Sequence, residues 1–331
     1  MTTNHFKAIV ARDVGGKAKA SLERLTESFL PELGVLVRID YSSLNYKDAL
    51  AITGTSRICR RLPMVCGIDL AGVVLKSDSP DWKKGDPIMV NGFGLSETQW
   101  GGFSQRQSLA PHWLIKRSKS ISSEHAMAIG TAGYTAMLCV NALRDHGLRP
   151  QDGPVLVTGA AGGVGSLSII ILSKLGFATV AVSGREESHE YLKSLGASKV
   201  INRSDFDRDP EILEKEIWSG AIDTVGSKIL ATVLAQTKYN GMVAACGLVG
   251  GIDLPATVMP FILRGVTLRG VDSVMSDHSI RKRAWSDLRK LVKPEDLQST
   301  YVIKPMSQVI EIANEMLAGK IQGRVVIDVN N

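Results

Sequence analysis

The chain has 331 residues, of which 44% are hydrophobic and 5% aromatic, and a formal charge of +6. That length suits two domains with separate cores, and the positive charge, with few aromatics and no nucleic-acid recognition module, points to an anionic small molecule rather than to nucleic acid. No apolar run is expected to approach the roughly 18 residues needed to span a membrane, the start lacks the regions of a signal peptide, and four scattered cysteines without a C-x-x-C pair fit reduced thiols, so a cytoplasmic location is expected.

In chain order, the first third holds short strand-like runs at residues 6–10, 35–41, 69–75 and 87–90 and another after Gly101-Gly102, with one helical stretch at 46–52. This pattern predicts an antiparallel, partly closed β domain. At Gly130 it gives way to the helical segment Gly130-Thr-Ala-Gly-Tyr-Thr-Ala-Met-Leu138, which opens an alternation of strands and helices. Strands are expected at 155–158, 179–183, 199–202, 221–224, 242–246 and 266–271, an order that favours a doubly wound parallel sheet. The tail offers a helix around 307–317 and a final strand, Arg324-Val-Val-Ile-Asp328. That strand is expected to return to the first domain, giving domains at 1–128 plus 300–331 and at 129–299.

The densest signal runs from Val155 to Arg185. The apolar run Val155-Leu-Val-Thr158 meets the turn Gly159-Ala160-Ala161-Gly162-Gly163-Val164-Gly165, and a helix is expected over 163–175. Gly162 lets a pyrophosphate approach the backbone, Gly165 lets the helix pack closely on the strand, and the first-turn N–H groups face the anion. Ala160 replaces the first glycine of G-x-G-x-x-G, so the loop is an A-x-G-x-x-G variant set between two strands, the context a dinucleotide site requires. The second strand ends in Ser183-Gly184-Arg185. A carboxylate there would repel a 2′-phosphate, whereas a hydroxyl beside a guanidinium holds one, which predicts NADP(H).

Further segments carry a resemblance: Ser43-Leu-Asn-Tyr-Lys-Asp-Ala-Leu50, Gly67-Ile-Asp-Leu-Ala-Gly72, Gly220-Ala-Ile-Asp-Thr-Val-Gly226 and Gly270-Val-Asp-Ser-Val-Met275, together with the Gly130 segment. Over essentially its whole length the chain resembles the medium-chain dehydrogenase/reductase superfamily, in its zinc-free, quinone oxidoreductase-like branch, the acrylyl-CoA reductase family. The resemblance implies an α/β fold with a GroES-like partly closed β-barrel domain and a Rossmann domain. Zinc-dependent members carry a His within a Gly-His-Glu segment; here the matching residues are Gly67-Ile68-Asp69, without an imidazole. Cys66 reads as a small buried thiol. No metal is expected, and without a Lewis acid alcohol oxidation is poorly supported. An enoyl thioester, whose oxygen gathers enolate charge after hydride addition at the β carbon, needs only a few hydrogen bonds.

The resemblance also implies site residues. Tyr46, in Asn45-Tyr46-Lys47-Asp48, is expected in the cleft between domains, near nicotinamide and substrate, as a catalytic and cofactor-binding group. Asp48 is a second catalytic candidate, with capping as its alternative role. Thr131, Lys199, Leu248, Ile262, Ser273 and Gly319 complete the cofactor contacts, with Lys199 reaching toward the adenosine phosphate. Two basic clusters are candidates for the CoA phosphates: Arg57, Arg60 and Arg61, or Arg281, Lys282 and Arg283. The implied activity is NADPH-dependent reduction of acrylyl-CoA to propionyl-CoA by a homodimer paired through residues 266–271. Two alternatives stay open: an NADPH quinone or enone reductase, and a catalytically weak NADPH-binding protein that binds nucleic acid or serves structurally.

Overall fold

A long antiparallel ladder builds the first hairpin of the computed structural model, which describes residues 4–331. Strands β1 (His5–Val14) and β2 (Lys17–Thr26) pair antiparallel across the Gly15-Gly16 turn. Phe6, Ala8 and Val10 pack with Leu25 and Val65 as a small core of their own. The chain continues through β3 (Val35–Leu44), α1 (Tyr46–Thr53), β4 (Met64–Val65), β5 (Asp69–Ser77), β6 (Pro87–Asn91), β7 (Arg106–Leu109) and β8 (Ile115–Lys116) to the long helix α2 (Ser123–Asp145). Strands β2, β4 and β8 go beyond those expected from the sequence. In β2 only Ala20 and Leu25 are buried, so its polar sequence carries little apolar alternation.

The chain then follows β9 (Val155–Val157), α3 (Gly163–Lys174), β10 (Thr179–Ser183), α4 (His189–Ser194), β11 (Lys199–Asn202), β12 (Trp218–Asp223), α5 (Ser227–Gln236), β13 (Thr237–Ala245), α6 (Met259–Arg264), β14 (Thr267–Gly270), α7 (His278–Leu291) and α8 (Pro294–Leu297). It ends with β15 (Tyr301–Pro305), α9 (Val309–Leu317) and β16 (Arg324–Asp328). Contacts divide it into two units: the chain up to Thr131 together with Leu297–Asn331, and Ala132–Asp296.

In the first unit a seven-stranded sheet runs β15-β16-β3-β5-β6-β8, with β7 on β3. The last strand lies antiparallel to β3, Val325 opposite Leu44 and Asp328 opposite Tyr41. The C-terminus is thereby fixed beside the segment that launches α1. Ile9, Val37, Ile39, Leu70, Val90, Phe103 and Ile327 are all fully buried in this core.

The second unit is a six-stranded parallel sheet in the order β11-β10-β9-β12-β13-β14. Counted from β9 this is 3-2-1-4-5-6, the order of a Rossmann dinucleotide fold. Leu156, Ala221 and Val243 are fully buried on its central strands.

Helix α2 corrects one expectation from the sequence. Its 23 residues are long and apolar enough to cross a membrane by length and composition, yet 94% of its most apolar window is buried inside the protein. It is also kinked, because Gly130 takes φ 50°, ψ −155°. A Cβ at Gly130 would stand 2.4 Å from Arg324 Nη2 and 2.7 Å from Ser43 Oγ.

A sparsely allowed backbone conformation and overpacking each cost about 1–3 kcal/mol, so Gly130→Ala is expected to lower unfolding free energy by roughly 2–6 kcal/mol. Urea denaturation measures this, and a loss below about 0.5 kcal/mol, the scatter of ordinary surface substitutions, would contradict the packing described.

Candidate functional site

The phosphate loop leaves β9 at Thr158, whose hydroxyl donates to the buried Asp223 carboxylate at 2.7 Å. Gly159 takes the left-handed conformation, φ 56°, and a Cβ there would meet Thr224 Oγ1 at 2.2 Å. The special backbone angle thus falls one residue before the motif position, which explains why Ala160 is accepted there. Gly162 is the N-cap of α3. A Cβ on Gly165 would stand 2.5 Å from Gly159 O and 2.6 Å from Ala160 Cα, so the helix start is seated directly on the loop. Ala160 and Ala161 are buried beneath it. The N–H groups of Gly163, Val164 and Gly165, at the positive end of the helix, have no intrahelical acceptor and suit a pyrophosphate.

At the carboxyl end of β10, Arg185 N–H donates to Ser183 Oγ at 3.2 Å, which tightens the Ser183-Gly184-Arg185 turn. The neighbouring strand supplies a group that sequence reading missed. Ser183 lies opposite Asn202 in the parallel register, and the next residue, the exposed Arg203, lays its guanidinium over Gly184. A Cβ on Gly184 would meet Arg203 Cζ at 3.2 Å. The Arg203 guanidinium therefore lies beside Gly184 at the carboxyl end of β10, next in sequence to the Ser183 hydroxyl and to Arg185, a set of residues that fits the 2′-phosphate of NADP(H). Lys199 is corrected by the same register. It pairs with Val180 at the amino end of β11, about 10 Å of strand from that edge.

The remaining cofactor candidates divide by position. Leu248 follows β13, Ile262 lies on α6, and Ser273 is in the turn after β14. Leu248 and Ile262 are 56% and 68% exposed. Gly319, just past α9 in the first unit, donates its N–H to Met316 O in closing that helix. Of the two basic clusters, the second is dismantled. Arg281 is fully buried and Arg283 forms a bidentate pair with Asp145 at 2.7 Å, whereas Arg57, Arg60 and Arg61 are exposed.

In the first unit a buried polar network sets Asn45-Tyr46-Lys47-Asp48. Asp69, fully buried, accepts from Ser43 N–H at 2.9 Å, Ser43 Oγ at 2.7 Å, Asn45 Nδ2 at 3.1 Å, Thr131 N–H at 2.9 Å and Thr131 Oγ1 at 2.7 Å. Arg324 donates to the same Ser43 Oγ at 2.7 Å, to Asn45 Oδ1 at 3.1 Å and to the α2 carbonyl of Ala128 at 3.2 Å. Thr131 is thus committed to the kink of α2, through both its amide and its hydroxyl.

Asp48 accepts from Asn45 N–H at 3.0 Å, closing the cap of α1, and from Ile68 N–H at 2.9 Å. It is fully buried. Its carboxyl is spent on these donors and has no exposed face, which fits the capping role that the sequence offered as its alternative. Tyr46, the first residue of α1, is half-buried, and among the described residues its hydroxyl makes no hydrogen bond. Lys47 is paired with Glu97. Among the described residues no three His, Cys, Asp or Glu side chains are grouped to hold a metal ion.

Comparison with known proteins places these features in a family. The model of an alcohol dehydrogenase GroES-like domain matches residues 32–137 and that of a zinc-binding dehydrogenase matches 163–292. The chain is 50% identical over 330 residues to the probable acrylyl-CoA reductase AcuI of Escherichia coli, covering 98% of this chain and 100% of that one. It is 44% identical over 328 residues to the acrylyl-CoA reductase AcuI of Ruegeria pomeroyi, covering 98% and 99%. The crystal structure of E. coli K-12 YHDH with bound NADPH is 50% identical, covers 98% of this chain and 100% of that one, and superposes with a TM-score of 0.96. The chain belongs to the medium-chain dehydrogenase/reductase superfamily. Within it, the chain falls in the branch of acrylyl-CoA reductase-like proteins.

Loss of water on burial and the charge of Asp69 push the Asp48 carboxyl from 3.8 up to about 8, against the pull of its N–H donors. Between these values the folded state holds a proton that the unfolded chain releases, so stability is expected to fall as pH rises from about 4 to about 8 and then to level. Urea unfolding across that range checks this against Asp48→Asn. The variant should show a flatter profile; parallel profiles would contradict the assignment.

Proposed function

We propose that the chain is an NADPH-dependent acrylyl-CoA reductase, reducing the conjugated double bond of acrylyl-CoA to give propionyl-CoA without a metal. The observation that carries the substrate is near full-length similarity to two acrylyl-CoA reductases. The donor set at the end of β10 and β11 supports the choice of NADPH over NADH. When bound, the cofactor supplies a hydride to the β carbon of the thioester.

The chain's own residues bind, orient and hold protons. Backbone N–H groups of Gly163, Val164 and Gly165 receive the pyrophosphate, and Ser183, Arg185 and Arg203 receive the 2′-phosphate. Tyr46 is offered by a helix start that Asn45 and Asp48 lock in place. Its hydroxyl is both donor and acceptor, suited to stabilise charge on the thioester oxygen or to pass a proton toward the α carbon. Arg57 and Arg60, exposed on the segment after α1, are the cations for the CoA phosphates. Ile68 stands where zinc-dependent relatives carry a His, and Asp69 is spent on the internal network, so charge control falls to hydrogen bonds.

The chain also works as a homodimer in this reading. β14 ends the parallel sheet, and Ile252, Val258, Ile262, Leu263 and Met275, each more than half exposed, lie on the segments flanking it in sequence. An uncovered apolar edge of this kind favours pairing with a second copy. With aromatics at 5% and no recognition module in the sequence, the positive charge suits an anionic small molecule.

Each 2′-phosphate contact is charge-assisted and worth about 1.5–3 kcal/mol, so Arg203→Ala is expected to raise the KM for NADPH roughly 10- to 100-fold while leaving that for NADH within about twofold. Steady-state rates with acrylyl-CoA and with a benzoquinone then separate the enzyme readings. The proposal expects acrylyl-CoA to be preferred at least about tenfold in kcat/KM, and a quinone preference of that size would overturn it. Sedimentation equilibrium should give twice the mass of 35.7 kDa; a monomer at micromolar concentration would refute the pairing.

A further inference from the structure

Strand order in the second unit fixes the direction in which a dinucleotide runs. The pyrophosphate loop follows β9, the 2′-phosphate donors follow β10 and β11 on one side, and β12, β13 and β14 lie on the other. Ligands gather outside the carboxyl ends of such strands, so the nicotinamide half extends toward the segments after β12, β13 and β14. The last of these is the turn 271–276, which includes Ser273.

That turn is held from two directions. Within it, the Asp272 carboxylate accepts from Val274 N–H at 2.7 Å and from Met275 N–H at 3.2 Å, and the Ser276 hydroxyl donates to the Asp272 carbonyl. From α7, Arg281 donates Nη2 to Val274 O at 3.1 Å. Its guanidinium lies 4.9 Å from the centre of the Tyr134 ring, which stacks at 3° on Trp285.

Arg281 is fully buried, the largest side chain among the described residues to be so. Burying a guanidinium is costly, and a Met or Leu would fill the same space without that cost. The aromatic face and Asp272 offset part of it, but neither requires an arginine to be there. What the guanidinium adds is a planar donor that reaches the turn's carbonyl while its other face stays stacked.

We infer that Arg281 is a positioning residue for the nicotinamide end of the cofactor, clamping the turn 271–276 against Tyr134 of α2 and Trp285 of α7. It acts without touching the cofactor itself. The inference rests on the dinucleotide reading above.

The test uses two variants that loosen the turn from opposite sides. Arg281→Met removes the clamp from the core, and Asp272→Ala removes the exposed carboxylate, so that the second folds even if the first does not. For each, dissociation constants are measured for NADPH and for 2′,5′-ADP, which occupies only the adenosine end, together with kcat. Loss of one charge-assisted contact corresponds to about tenfold in binding, so NADPH should weaken about tenfold and kcat fall, while 2′,5′-ADP stays within about twofold. Arg281→Lys, which keeps a cation on the Tyr134 ring, should recover part of the loss. Equal weakening of both ligands, or no change in either for folded Asp272→Ala, would overturn the clamp. If the unaltered protein binds neither ligand, the dinucleotide reading itself falls, and the inference with it.

Discussion

The structure depends most on a buried carboxylate, Asp69, at the start of β5. Its oxygens collect donors from β3, from the cap of α1 and from the kink of α2. Arg324, brought back from the C-terminus by β16, meets the same Ser43 hydroxyl. A charge cut off from water is tolerable only when its lone pairs are satisfied, and removing one partner of such a network costs about 3–5 kcal/mol. Gly130 leaves the space in which the network closes. The return of the final strand, the kink of the longest helix and the placement of Tyr46 are thus one arrangement.

This bears on chemistry. The segment Gly67-Ile68-Asp69 gives its backbone N–H at Ile68 to the cap of α1 and its carboxylate to the network. Both groups fix the start of α1, and with it Tyr46. In the second unit, the parallel sheet places every loop of interest at one edge, and small residues there serve as space: Gly165 for the seat of α3, Gly184 for the guanidinium of Arg203. In the proposed reading, charge selection at one end of that edge and clamping of a turn at the other divide the work of holding an extended dinucleotide.

Much of this is legible in the sequence. The runs 179–183, 199–202 and 324–328 are short, apolar and bounded by turn residues, and they coincide with β10, β11 and β16. The glycine loop and Ser183-Gly184-Arg185 stand out by residue type and spacing alone, and the structure places both at the carboxyl ends of neighbouring strands, β9 and β10. Legibility ends where tertiary register decides. Arg203 is distant in sequence from Gly184 and meets it only because β10 and β11 pair in parallel, whereas Lys199, the cation expected there, lies at the opposite end of β11. Asp48 reads as a chemical group because carboxylates often are, but its burial and N–H partners depend on Ile68, twenty residues on. Arg281 reads as a surface cation beside Lys282 and Arg283, since nothing local announces the aromatic faces of Tyr134 and Trp285.

The central claim is that this scaffold sends a hydride from NADPH to the β carbon of an enoyl thioester and a proton to the α carbon. It is tested most directly by reducing acrylyl-CoA with NADPH carrying deuterium at the transferable position, in ordinary water, and locating the label by NMR. The account predicts propionyl-CoA with one deuterium at C3 and none at C2. Deuterium at C2, or consumption of NADPH without propionyl-CoA, would contradict it.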